Sequence, residues 1–448
     1  MAEERVTMKF RIRFLFVITS LLVAGSARGE EKMSLTLDQA IQIGLEKSKS
    51  IHASLMSVQY ADSRSSEANA LMLPSVKFSG AYARLSDIPP TQVSLYPLIP
   101  DPITLSPSVV NNYNLKVTVQ QPIFTGFKLQ RNADIAEYNA SSAQKDFEKD
   151  KSDLIYNIKN AYWNLTQAIE LQKVVDENVE QMEAHLKDVQ SWQGQGMITV
   201  NDVLKVQVQL SDAELRQIDM KNNVQLAKIS FNSLLGLPLD TAVDPVTNIK
   251  HEPKSFGDLT TLVQQAMDRR PELKSMEYKV KAGNAAVAIA QSNWFPQVYF
   301  TGNYYSSRPN QRFFPAEDVF KDTWDVGIGV SFDIWNWGTT VHQTDQAKAQ
   351  LSQAEDGLAQ LKDGVTLDVT RNYLNLHRAQ ERIIVAEKEV SQAEENYRVT
   401  DAKFKQGLAL NTDLLDAEVA LLQAKTNYTQ SLVDYEVAEA GLERAIGE

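Results

Sequence analysis

Apolar side chains recur at alternating steps of four and three through Leu154, Ile158, Ala161, Leu165, Ala168, Val175, Val179, Met182, Leu186 and Val189, with Gln172 the one polar exception. That spacing is a coiled-coil seam. The register returns about 211 positions later as Val365, Val369, Asn372, Leu376, Ala379, Ile383, Ala386, Val390, Ala393, Tyr397, Thr400 and Phe404, which makes an internal repeat. The two seams predict long helices over about 128–193 and 339–406. At 1.5 Å per residue each is a rod of roughly 100 Å, too long to be the core of a compact domain. The rods break at Gly194-Gln195-Gly196 and Gln406-Gly407-Leu408 and are followed by return helices over about 200–235 and 412–446.

Ahead of each rod the period changes from helix to strand. Val76, Phe78, Gly80 and Tyr82 alternate with polar or small residues, as do Leu115, Val117, Val119, Gln121 and Ile123, which predicts strands over about 75–84 and 113–123. The second copy answers with Val298, Phe300, Gly302 and Tyr304 over about 296–305, and with Trp324, Val326, Ile328, Val330, Phe332 and Ile334 over about 323–334. Between the first two strands, Leu85 to Asn112 holds six prolines and is expected to lack regular structure. Short helices precede the strands, near Leu35–Leu45 and Ser50–Leu73, then near Leu262–Met267 and Pro271–Asn293. The first copy thus spans 30–238 and the second 258–448, with a linker over 239–257.

Strands of about ten residues match a tilted crossing of a bilayer. A barrel in lipid needs at least about eight strands and no free edge, so four strands would have to be shared among copies, and three copies would give about twelve. A soluble antiparallel sheet packed on helices predicts the same alternation. Trp294, Phe295, Phe124, Phe127, Trp335 and Trp337 all sit where strands join helices, the placement of an interfacial aromatic girdle. The hairpin loops lie at the opposite end, so every helix projects to one side, and the half-length helices stack to nearly the length of one rod.

Composition narrows the class. With 43% hydrophobic and 23% charged residues the chain is neither disordered nor a polytopic helical membrane protein. A net charge of −12, with no basic face, argues against nucleic acid. Cysteine is absent. His52, His185, His251, His342 and His377 are scattered without metal-ligand spacing, and no phosphate loop or nucleophile elbow is present, so no cofactor, no metal and no enzyme activity are expected. Lys9, Arg11 and Arg13 before the apolar run Phe14 to Ala24, then Ala27 and Gly29, read as a secretory signal peptide over 1–29, with Met8 an alternative start. An uncleaved anchor is the competing reading.

The Leu35-Thr36-Leu37-Asp38-Gln39-Ala40 start, the Leu73-Pro74 and Phe295-Pro296 strand starts, the Gln121-Pro122-Ile123-Phe124-Thr125-Gly126 exit, the Ala161-Tyr162-Trp163-Asn164-Leu165 and Asn372-Tyr373-Leu374-Asn375-Leu376 sites and the two Gln-Gly turns occur in order. In these the chain resembles the TolC family of outer membrane efflux proteins. The resemblance implies a homotrimer, with a 12-stranded β-barrel in outer membrane lipid continued by a 12-column periplasmic α-helical barrel. It also implies a periplasmic adaptor and an inner-membrane transporter as partners, in drug or metal efflux or in type I protein secretion.

The resemblance places a pore constriction just past the second glycine turn, where Asp413 and Asp416 share one helix face. Threefold symmetry would make a ring of about six carboxylates, which selects cations and binds divalent ions. Asp413 equally suits a helix N-terminus capped by Asn411 or Thr412. The equivalent first-copy positions are Asp202 and Lys205, and the resemblance implies a closing network around Asp202. Ala409 stands where a family arginine is expected, and Phe404 where an aromatic hydroxyl would help, so a closed tip held by coiled-coil packing is expected. Gly194, Gly196, Gln406 and Gly407 mark the adaptor-docking turns that the resemblance implies, and glycine at a helix end is also simply a C-cap. The alternative from another class is a periplasmic coiled-coil structural or adaptor protein, which outer membrane fractionation would separate from a duct.

Overall fold

In a computed structural model, which describes residues 33–94, 97–246 and 254–448, the succession of short helix, helix, strand, strand, rod and return helix occurs twice. First come β1 (Met33–Leu35), α1 (Leu37–Lys47), α2 (Lys49–Ala70), β2 (Ser75–Arg84), β3 (Thr91–Val93), β4 (Ile103–Ser106), β5 (Asn111–Phe124), α3 (Lys128–Gly194) and α4 (Val200–Leu235). Then follow β6 (Val243–Pro245), α5 (Leu259–Arg269), α6 (Pro271–Ser292), β7 (Gln297–Arg308), β8 (Lys321–Ser331), α7 (Thr339–Lys405) and α8 (Asn411–Ile446). The expected leader over residues 1–29 lies outside the described residues.

Local chemistry sets the helix ends. Thr36 and Gln39 close a reciprocal capping box on α1, Asp258 caps α5 through the Thr261 amide, and Pro271 opens α6 at a position that needs no N–H. Gly236 ends α4 at φ +71, where a Cβ would meet the Lys47 carbonyl oxygen at 2.7 Å, so both the backbone conformation and the space require glycine.

The helices lie side by side. α3 packs against α2 and α4 on one flank and α6 and α8 on the other, and α7 packs beyond α6 and α8. Four columns result: α2 with α4, α3, α6 with α8, and α7. The paired columns hold helices of 22 and 36 residues beside rods of 67. One core gathers Ile158, Tyr162, Trp163 and Leu165 against Phe231 and Leu235, and a second gathers Val365, Val369 and Leu376 against Leu273, Tyr435 and Leu442. These are the seam residues of the repeat, buried where the register requires.

The main sheet is antiparallel with order β2-β5-β7-β8, and each of its strands continues into one column. Val117 pairs with Tyr304 and Gly302 with Val326, so the two halves meet at β5 and β7 while β2 and β8 are the sheet's edges. Val76 and Phe78 on β2, and Trp324, Val326, Ile328 and Val330 on β8, are exposed apolar residues on those edges.

Three features differ from expectation. β8 ends at Ser331, which leaves Phe332 and Ile334 outside it, while β5 runs through Pro122 to Phe124 with a register shift at the proline, which has no N–H for the ladder. The proline-rich loop contains a ribbon of β3 and β4, because Pro97, Pro100 and Pro102 fall between the paired segments. The linker contributes β6, which pairs in parallel with β1 and ties Met33–Leu35 to Val243–Pro245.

Candidate functional site at the helical tip

The ends of the two rods farthest from the sheet carry the predicted constellation. Each rod closes in the same way. Gly196 has φ +73 and the Met197 N–H returns to the Trp192 carbonyl at 3.0 Å; Gly407 has φ +72 and the Leu408 N–H returns to the Lys403 carbonyl at 2.9 Å. A Cβ at Gly194, Gly196 or Gly407 would touch nothing within 4 Å, so at Gly196 and Gly407 the left-handed backbone, and not crowding, calls for glycine. Gln406 is the C-cap residue of α7. Around these turns Met197, Val200, Leu408 and Leu410 are exposed.

Both return helices begin with an aspartate at their third position. Asp202 accepts from the Thr199 hydroxyl at 2.6 Å and from its amide at 3.2 Å, and the hydroxyl contact is the main reason its carboxyl sits below the ordinary aspartate range. Asp413 accepts from the Leu410 amide at 3.0 Å and remains exposed. The capping geometry is therefore real at Asp413, and it leaves the carboxylate available to solvent. Asp416 is exposed on the same face and lines an open groove between α4 and α8 with Lys205, Asn201 and Leu204. Asp202 does not join it, because its carboxylate is turned onto Thr199.

Beneath the turns lies a core of Val179, Met182, Val189, Val206, Phe404, Leu414 and Leu415. Phe404 stacks on Trp192 at 4.7 Å between centroids and takes the His185 ring edge-on at 5.3 Å. Two polar side chains are sealed in the same place: His185 is 5% exposed and Glu418 1%. His185 Nδ1 lies 3.1 Å from Glu418 Oε2 and its Nε2 lies 2.9 Å from Asn411 Oδ1, while Asn411 Nδ2 donates to the Asp202 carbonyl at 3.3 Å. Burial raises the nearby Tyr397 hydroxyl above its usual range, with the Glu418 and Asp401 charges adding.

Sequence reasoning treats His185 only as a scattered histidine and Asn411 only as a cap, and it passes over Glu418. The signal is present in the chain: Glu418 follows Leu414 by four and precedes Leu421 by three, a polar residue on an apolar stripe, as His185 is beside Met182 and Val189.

At the sheet end, Phe124, Phe127 and Phe295 form an edge-to-face cluster with centroid distances of 5.4, 6.4 and 6.4 Å, and Trp335 meets Trp337 at 5.7 Å. Trp294, Trp335 and Trp337 are exposed. All six lie at the junctions between strands and helices. Among the described residues, no group of three or more His, Asp or Glu is placed to hold a metal ion, and no helix is long and apolar enough to cross a membrane.

Comparison with known proteins gives concordant results. The family described as outer membrane efflux protein matches residues 40–237 and 262–448. The outer membrane efflux protein BepC of Brucella suis biovar 1 is 21% identical over 331 residues, covering 74% of this chain and 71% of that protein. The alkaline protease secretion protein AprF of Pseudomonas aeruginosa is 24% identical over 342 residues, covering 74% and 69%. The crystal structure of the outer membrane protein VceC from Vibrio cholerae superposes with a TM-score of 0.75 at 18% identity, covering 92% of this chain and 96% of that one.

Proposed function

This chain belongs to the outer membrane efflux protein family, and from that premise we propose that three copies form a duct across the outer membrane that conducts export substrates out of the periplasm. Its residence in the outer membrane follows from the family, and the family's members and solved neighbours are channel proteins, which supports a non-enzyme reading.

One observation carries the trimeric reading: a sheet of four strands whose two edge strands, β2 and β8, bear exposed apolar side chains. Unpaired backbone is costly in lipid, and β2 of one copy against β8 of the next removes both edges. Three copies then supply about twelve strands over as many helical columns. The aromatic residues Phe124, Phe127, Trp294, Trp335 and Trp337 would lie at the membrane–water boundary nearer the helices.

Within this reading, Asp413 and Asp416 ring the narrow end of the duct and favour cations, with Asp202 behind them as a capping residue. The turns at Gly194, Gly196, Gln406 and Gly407 present exposed Met197 and Leu408 to a periplasmic adaptor, which links the duct to an inner-membrane transporter. Names such as alkaline protease secretion protein among the relatives favour type I protein secretion as a second use of the same scaffold.

Because the chain has no cysteine, introduced ones report alone. Phe78→Cys with Ile328→Cys, treated with a short bis-maleimide in outer membrane fractions, is expected to give a covalent trimer. A monomer recovered from the soluble periplasm would sink the duct.

A further inference from the structure

The two helical hairpins meet at one seam, whose geometry stands without the duct reading and whose consequence rests on it. At the tip the first hairpin, α3 with α4, meets the second, α7 with α8, chiefly where α3 packs on α8. Any widening of the tip that moves one hairpin against the other must shear that contact. The polar residues His185, Asn411 and Glu418 sit within it.

Their hydrogen-bond polarity fixes a proton count. Asn411 sends its amide N–H to the Asp202 carbonyl, so its oxygen faces His185 Nε2, and Nε2 must donate. Nδ1 faces Glu418 Oε2 at 3.1 Å, and that contact also needs a hydrogen, whether on the imidazole or on the carboxyl. The pair therefore holds one proton more than a neutral imidazole beside a carboxylate. If that proton leaves, two lone pairs face each other in a buried site where Glu418 Oε1 already lacks a partner among the described residues.

The groups that face the pair do not supply a substitute. α3 contributes Glu177, Glu180 and Asp188, and α7 contributes Tyr397, Asp401 and Lys405, around a cavity of about 320 Å³. Lys405 is held by Asp401 at 2.9 Å, and Asp202 on α4 is held by Thr199.

We propose that His185, Asn411 and Glu418 are a proton-bound latch that clamps α8 onto α3 at the tip and releases it when the shared proton is lost. The sign follows: the latch holds on the acid side and lets go as pH rises. It would do the holding in a chain whose Ala409 and Phe404 cannot form a surface salt-bridge latch.

The test uses the full-length protein in detergent with Gln195→Cys and Gln406→Cys, one label on each turn, spin-labelled and diluted with a diamagnetic analogue. Between about pH 6 and about pH 9, a range that spans imidazole chemistry, the wild-type background is expected to gain a second, longer distance between the turns. Glu418→Gln should keep the short distance throughout, because a carboxamide N–H can donate to Nδ1 at every pH. His185→Leu should show the longer distance at both ends of the range. A wild-type distribution that ignores pH, or a Glu418→Gln protein that follows the wild type, overturns the latch. Conductance of the same preparations in planar bilayers reads the duct separately. A conducting protein with invariant distances sinks the latch alone; pH-driven distances without conductance sink the duct alone.

Discussion

The two return helices, α4 and α8, occupy equivalent places in the repeat and live in different surroundings. Both turn one face to their own rod: Val206 and Ala417 are equivalent and both buried, as are Ala213 and Ala424. The other faces diverge. Leu204 is 54% exposed and its counterpart Leu415 is 8% exposed; Gln207 lies open to solvent and its counterpart Glu418 is sealed. α8 is an interior column with α3 on its far side, whereas α4 ends the row. The rods are reversed. Trp163 of α3 is 4% exposed and the equivalent Leu374 of α7 is 60% exposed, because α7 closes the row at the other end. One pattern, written twice, thus yields an interior and two unlike edges, and Val208, Leu215 and Ile218 on one edge face outward as Leu367, Leu374 and Val385 do on the other.

The largest expected effect separates interior from edge at one repeat position. Trp163→Ala should cost about 3–5 kcal/mol and lower the denaturation midpoint of the chain, since a large side chain is removed from a closed core. Leu374→Ala should cost under about 1 kcal/mol in the dissociated chain, where little surface is buried, and show its effect in the recovery of cross-linked trimer instead. Equal losses of chain stability from both changes would mean that α7 is no edge.

Much of this was legible in the chain and some was not, for reasons that particular residues make plain. The seam of Leu154, Ile158 and Leu165 names a buried face because side chains four and three apart must share one side of a helix. It does not name the partner, so nothing at Leu204 or Leu415 says which will be covered. The alternation at Trp324, Val326 and Ile328 gives the strand, but β3, β4 and β1 with β6 have three or four residues each, too short for a period. The pairing of His185 with Glu418 spans 233 residues and unlike elements, and a single polar residue on an apolar stripe does not reveal its mate until the helices are placed.

A smaller effect sharpens the comparison at the tip. Asp202 and Asp413 are equivalent, and each accepts a backbone N–H at its helix start. Beyond them the copies part, with Lys205 against Asp416. If the second copy lines the narrow end, Asp413→Asn with Asp416→Asn should lower cation over anion permeability roughly severalfold and relieve divalent block in reconstituted channels. Asp202→Asn should do neither, and its expected cost is a weaker α4 cap of about 0.5–2 kcal/mol. Unchanged selectivity in the double variant would remove the carboxylate ring.

The smallest expected effect lies near the other end of α8, where burial has an electrostatic consequence. Glu436 is half-buried, and its carboxyl is pushed up to about 7 first by burial and then by the Glu439 charge. Lys254 sits close by, held to Glu439 and to Glu443 at 3.1 Å, and is itself raised chiefly by Glu439. Because the folded chain prefers Glu436 protonated while an unfolded chain releases that proton at the ordinary glutamate value, the group's contribution is whole below that value and lost as pH rises through about 7. Glu436→Gln keeps the shape and cannot ionise, so the variant's stability should fall less than the wild type's across that interval, with the two closest at the acid end. The first-copy equivalent is already a glutamine, Gln225, on the exposed face of α4. Gln225→Glu sets a carboxyl in water at the same repeat position and should leave the slope unchanged. Parallel denaturation curves for the wild type and Glu436→Gln across that interval would mean that α8 is wetter there than its interior place in the row implies.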